Sequence, residues 1–396
     1  MNIKFFGGLM RKLLLFQIIL SFSLTVCAYN RPETPDGIGS PEKPFLINKI
    51  EHLVWLSENM VQNRGKHFLM TADIDASETR SWDNGKGFLP IGSKKTQNNF
   101  YNASAYQADA FIGHFDGGGH TISNLYIDRK DLCATLFSKI GSADLISYVL
   151  VTNRFSQELS DAMMRLEKPT TVKNLALINF SFNGKSSAAG LAASVSECRV
   201  ENVYLSGKLE SEGVVSGYAS LGKNSVFVSC ETNIEFKNRY CRAAGFIMEA
   251  DNVLFKNCRC LGEFKDNYAP VQNNSRGVGY GLRRVGDPRK IKPTDIYCVS
   301  SGTAFLDNCL ILTKMNGYKS WDMMHIFGDL KHIINSFYSK DNLRDDPKYH
   351  SGTSNSKLMT KKNYRNWDFD NIWEIEEGKS FPKLRSIEKM LAASRN

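Results

Sequence analysis

Apolar and polar residues alternate in short runs along most of the chain, as in Val172-Lys-Asn-Leu-Ala-Leu-Ile-Asn-Phe and Val200-Glu-Asn-Val-Tyr-Leu-Ser-Gly. Alternation with period two sends successive side chains to opposite faces, so these runs predict short β-strands separated by turns. Helical spacing is confined to two stretches. Residues 49 to 63 carry Ile50, Leu53, Val54, Leu56 and Met60 on one face after Asn48. SQELSDAMMRLEKP predicts a short helix capped by Ser156 or Ser160 and ended by Pro169.

The strands repeat. Asn174, Asn202, Ser229, Asn257, Asn308 and Asn335 are separated by 28, 27, 28, 51 and 27 residues, the wide gap being close to two periods. Asn124, in ISNLYI, lies 50 residues before Asn174 and is taken to open the series. Gly190, Gly217, Gly245 and Gly279 follow with separations of 27, 28 and 34. One such unit cannot bury its own apolar face, whereas units stacked about 4.8 Å apart share a continuous core. The expected architecture is therefore an all-β parallel solenoid, a β-helix. Stacked Asn amides can both donate and accept, which predicts a structural ladder. Cys230, Cys258 and Cys309 each follow a ladder position and are expected as buried free thiols. Cys133, Cys198, Cys241, Cys260 and Cys298 lie off that column.

Three phrases resemble the GLUG-repeat family of bacterial surface proteins. They are GIGSPEKPFLINKIEHLVWLSENM with HFLMTADID; LPIGS with FIGHFDGGGHTISNLYI; and NWDFDNIWEIEEGKSFPKL. The family's Gly-Leu-Val/Ile-Gly phrase is degenerate here, as AAGLAAS and AAGFIME. The resemblance implies a right-handed parallel β-helix displayed on or released from the cell, and implies no reaction. The expected organisation is a leader over residues 1–28, an N-terminal helical cap and entry over 29–104, and the β-helix over 105–340. A C-terminal capping segment over 341–396 would use Trp367, Phe369, Trp373 and Phe381. Insertions near 143–170 and 265–300 should project from the solenoid and carry its individual function.

Composition adds the compartment. Lys4, Arg11 and Lys12 precede the apolar run from Leu13 to Val26, the pattern of a secretion signal cleaved after Ala28. Nothing later is long and apolar enough for a membrane span. The chain has 396 residues and a formal net charge of +9, three of which sit in the leader. That bias is too mild for a nucleic-acid binder.

Reaction chemistry finds little support in the sequence. Glycoside hydrolysis needs paired carboxylates, and the candidates Asp73 with Asp75 and Asp345 with Asp346 read as strand-end and loop residues. No His is followed by the Glu of a His-Glu-x-x-His zinc motif, and no phosphate loop follows FDGGGH. His120 reads as a turn residue. No metal or cofactor is expected. The second insertion concentrates Arg276, Arg283, Arg284, Arg289, Lys290 and Lys292 around Tyr280, against the single acid Asp287. Those residues are the expected contact for an acidic glycan or a host or cell-surface protein. The expected function is that of a binding or adhesion protein that is not an enzyme, with a carbohydrate-active enzyme as the alternative.

Overall fold

The computed structural model describes residues 31–93, 109–130, 132–142, 156–238, 243–266, 296–316, 333–342 and 352–394. The leader, the basic insertion from Arg276 to Lys292, Asp345, Asp346 and Cys241 lie outside the described residues, and of Cys298 only the backbone is described.

Most strands belong to one 24-stranded sheet in which each pairs in parallel with the strand one repeat later. Val200 pairs with Val172 and with Phe227, and Phe227 pairs with Phe255. This long parallel sheet gives a β-helix-like all-β fold.

Backbone conformation explains the Asn spacing better than amide stacking does. Asn174, Asn202, Ser229, Asn257, Asn308 and Asn335 have φ of 52°, 53°, 50°, 54°, 55° and 47°. That left-handed region suits Asn, whose short polar side chain bonds locally. Ser229, Asn257, Asn308 and Asn335 turn the chain between two strands, Asn174 and Asn202 bend the long strands Thr170–Gly184 and Cys198–Ser211, and the pairing register sets all six one above another. Amide bonds then link neighbours. Asn202 donates to Asn174 Oδ1 at 3.0 Å, and Asn308 to Asn257 Oδ1 at 3.3 Å.

Asn124 departs from the expected series. Its partner is Asn179, φ 52°, which donates to Asn124 Oδ1, while Asn124 donates to Asp75 Oδ1 at 2.9 Å. Asn174 instead sits over Asp116, donating to its Oδ1 at 3.0 Å. A further column runs through Glu197, Asn224 and Asn252, at φ of 51°, 46° and 57°.

The two roles of the ladder separate by substitution. Asn202→Gly keeps the backbone conformation and loses only the amide bond, whereas Asn202→Val also forces a β-branched residue into the left-handed region. Urea denaturation should show Gly costing about 1 kcal/mol and Val costing roughly 1–2 kcal/mol more. Equal losses in the two variants would mean that Asn202 stabilises the ladder through its amide bond and not through its backbone conformation.

Inside the sheet, aromatic residues from successive units stack. Phe227 and Phe255 lie 4.9 Å apart and Phe236 and Phe264 4.4 Å, while Phe246 and Phe255 of one strand stack at 4.7 Å. Cys230, Cys258 and Cys309 are buried and free beside them. Burial pushes the Cys258 thiol well above its ordinary value. Gly217 permits close stacking, since a β-carbon there would fall 2.0 Å from the Gly245 carbonyl oxygen.

Three segments pack on this sheet. Helix α1, Ile50–Glu58, buries Ile50, Leu53 and Leu56 in the main core. It stops short of the expected Asn63 because the Asn59 amide takes the Trp55 carbonyl at 2.9 Å and begins a run of turns.

Helix α2, Gln157–Arg165, is capped by Ser156, whose hydroxyl accepts from the Leu159 amide. It lies down on the sheet instead of projecting. Met163 is buried against Val226, Val228, Leu254 and Phe305, all on outward-facing positions of successive strands. Polar contacts join it: Ser160 donates to the fully buried Asp307 at 2.6 Å, Lys256 lies 3.1 Å from the same carboxylate and 3.0 Å from Asp161, and Arg199 donates to the Met164 carbonyl at 3.3 Å.

The C-terminal segment also takes a different place from the one expected. Trp367, Phe369 and Trp373 are buried along the outer face with Ala176, Tyr204, Leu310 and Leu312, spanning several repeats. Its start pairs with the strand Phe337–Ser339, Tyr338 with Gly352, and Tyr364 and Trp367 pack on Phe337 of that strand. Helix α3, Arg385–Ala393, completes this cluster through Ile387 and Met390. No helix among the described residues is long and apolar enough to cross a membrane.

Candidate functional site

The carboxylates weighed as a catalytic pair hold turns together. Asp73 Oδ1 accepts from the Thr121 backbone N–H at 2.8 Å and lies 3.2 Å from His120 Nδ1. Asp75 accepts from Ser77 and Asn124, and these bonds, the Asn124 amide first, hold its carboxyl below the usual range. Asp116 of FDGGGH accepts from the Gly118 N–H at 2.9 Å. Each of the three carboxylates accepts from the next unit of the sheet, Asp73 from Thr121, Asp75 from Asn124 and Asp116 from Asn174. Among the described residues no group of His, Cys, Asp and Glu is placed to hold a metal ion.

A cleft of about 560 Å³ opens instead between the sheet and α3. Its floor is made by outward positions of the strands Cys198–Ser211, Glu231–Asn238 and Arg259–Asp266. In register, Ser206 pairs with Asn233 and Asn233 with Leu261, while Lys208 pairs with Glu235 and Glu235 with Glu263. Leu391 and Ser394 form the opposite wall. At the usual interstrand spacing the column from Ile178 to Leu261 runs about 14 Å across the strands.

The local chemistry is rich in paired donors and acceptors. Tyr204 is buried at the back, where desolvation pushes its phenol up and Ser206 and Asn233 hydrogen-bond it. Asn179 and Asn233 present exposed amides. Glu235 accepts from Lys265 at 2.9 Å, which keeps its carboxyl below the ordinary value and charged. A hydroxyl-bearing ligand could donate to the carboxylates and accept from the amides at once.

Beneath α3 a buried ion pair fixes the cleft wall. Arg259 donates to both carboxylate oxygens of Glu231 at 2.8 Å and to the Pro382 carbonyl at 2.7 Å.

Sequence reasoning found none of these cleft residues. The signal was available: YLSGK, ETNIEFK and RCLGEFK, written one under another, place Tyr204, Glu231 and Arg259 in one outward column and Ser206, Asn233 and Leu261 in the next. Trp367 and Trp373, expected to cap the solenoid, are buried and take no part in the cleft.

No family model matches the chain. Among curated proteins it is 30% identical over 181 residues to halomucin of Haloquadratum walsbyi, covering 46% of this chain and 2% of that protein. It is also 30% identical over 123 residues to an Evansella cellulosilytica protein provisionally called a Gly-rich membrane protein, covering 30% of this chain and 12% of that one. The chain thus spans a small fraction of the length of these relatives.

Two solved structures are similar at 12% sequence identity. One, from Bacteroides ovatus, is provisionally called an immunoglobulin A1 protease; the match has a TM-score of 0.42 and covers 88% of this chain and 94% of that one. The other is named IgA1 protease, with a TM-score of 0.38 over 74% of this chain and 21% of that one. These neighbours correct one expectation: the reading of the chain as no enzyme is overturned by solved structures that bear protease names. At this identity they bring no catalytic residue to the chain.

Proposed function

We propose that the chain is a right-handed parallel β-helix of the GLUG-repeat type, secreted or held at the cell surface, that binds carbohydrate chains in the cleft beside α3. The cleft itself carries this reading. It is elongated across the strands, and it offers amides, a hydroxyl and fixed carboxylates at about one strand spacing, which matches the regular hydroxyls of a polysaccharide. The solenoid form is supported by the parallel register between units one repeat apart. Helix α1 closes its first unit, and the strand Gly352–Thr353 pairs with the last. A leader over residues 1–28 and the likeness to a protein with a mucin name support an extracellular setting. The basic insertion remains a second contact proposed from sequence, for acidic glycans or cell-surface proteins.

A glycan array probed with the purified chain tests the proposal. Asn233→Ala combined with Ser206→Ala should weaken the strongest interaction about tenfold, the loss of two hydrogen bonds between uncharged groups. Unchanged affinity in that variant would remove the cleft as the site.

A further inference from the structure

A second cleft, of about 480 Å³, lies on another face and differs in chemistry. Its floor is a column of outward side chains set by the register: His67 pairs with His114, His114 with Thr171, and Thr171 with Arg199. The two imidazoles stack with centroids 4.3 Å apart, and His114 Nδ1 lies 3.0 Å from Thr171 Oγ1. The adjacent column carries Asp116, Lys173 and Glu201, and Pro41 and Pro44 supply an uncharged wall.

The formally charged side chains of this cleft, other than its histidines, occur in pairs of opposite sign. Lys173 lies 3.3 Å from Asp116, and Arg199 lies 2.7 Å from Glu201. Asp116 is further occupied by the Gly118 N–H and the Asn174 amide. The four permanent charges among the lining residues therefore cancel in pairs, which leaves His67 and His114 as the groups whose protonation changes the net charge. Desolvation, then His67 and Lys173, hold the His114 imidazole below its ordinary value, so that ring is neutral near pH 7.5. An anion lying across the stacked rings would supply the countercharge that the walls lack.

We propose that this cleft is a binding site for the sulfate or carboxylate groups of an acidic polysaccharide, engaged when the histidine pair is protonated. It is separate from the cleft beside α3 and does not depend on the carbohydrate reading given there. Binding and protonation are linked, so the polyanion raises the proton affinity of the pair as protonation raises affinity for the polyanion.

The experiment compares dextran sulfate, neutral dextran and inorganic sulfate at pH 5.5 and 7.5, using the wild-type chain and the double variant His67→Gln with His114→Gln. Dextran sulfate should bind at least tenfold more tightly at pH 5.5 than at 7.5, and the double variant should lose that difference. Dextran should not bind in a pH-dependent way, and inorganic sulfate should bind far more weakly than the polymer. NMR titration of wild-type imidazole protons supplies a readout independent of the variant's folding, with an upward shift of the His114 midpoint on adding dextran sulfate. A pH difference that persists in the double variant, a His114 midpoint unmoved by the polymer, absent binding at both pH values, or inorganic sulfate binding as tightly as the polymer would each overturn the proposal.

Discussion

Replacing Arg259 by Met is expected to lower the stability of the folded chain by about 3–5 kcal/mol at neutral pH, the usual cost of leaving a buried charge without its partner. Glu231 is buried, and its carboxyl is pushed up by desolvation against the opposing pull of Arg259. Removing the guanidinium leaves the upward push of desolvation and Glu388 opposed only by the weaker pull of Lys383. An acid whose folded value is raised contributes stability that is complete below its unfolded value, about 4.3, and lost as pH rises through the folded value. The deficit of the variant should therefore shrink as pH is lowered from 7.5 towards 5. Chemical denaturation at both pH values measures it. A second variant joining Arg259→Met to Glu231→Leu should recover most of the loss, because a matched apolar pair replaces buried ions at little cost. A deficit that is independent of pH, or that persists in the double variant, would show that Arg259 acts through its bond to the Pro382 carbonyl instead.

The second large effect concerns the other segment laid on the sheet. Asp307→Ala should cost about 3 kcal/mol, since the carboxylate is fully buried and receives both Ser160 and Lys256. The consequence should be local first. Helix α2 meets the sheet through Met163 and its neighbours and through polar contacts to Asp307, Lys256 and Arg199; losing the buried one should loosen the helix and make Arg165 a trypsin site before the sheet unfolds. Asp307→Asn, which can still accept from Ser160, should be less affected. Trypsin resistance equal to wild type in Asp307→Ala would mean that the helix is held without this carboxylate.

The repeat was legible because it is written in residue types with a backbone reason. Asn at Asn174, Asn202, Asn257, Asn308 and Asn335 marks left-handed turns, and no other residue but Gly suits them as well. Asn124 was misplaced for the same reason. The segment from Val172 to Phe180 contains two such turns, at Asn174 and Asn179, and spacing alone does not tell which of them stacks on Asn124.

The outer surface was far less legible. Val226, Phe227 and Val228 are all buried, and a continuous apolar run reads as core on both faces whatever covers it. Nothing in the run announces that the amphipathic stretch after Ser156 is its cover. Trp367 and Trp373 suggested an end cap, but the apolar column they cover is spread over Ala176, Tyr204 and Leu310, which are far apart in sequence. The cleft residues were hidden differently. Ser206, Asn233 and Glu235 sit at outward positions, where polar residues need no explanation, and only the register shows that they share one groove with Leu391.

Hydrogen–deuterium exchange with and without the tightest oligosaccharide from the array tests most directly whether carbohydrate lies in the cleft beside α3. Slower exchange is predicted in peptides covering residues 204–208, 231–235, 261–263 and 391–394, with the strands around His67 and His114 unchanged at pH 7.5. Protection confined to other segments, with these four unaltered by saturating ligand, would contradict carbohydrate binding in this cleft.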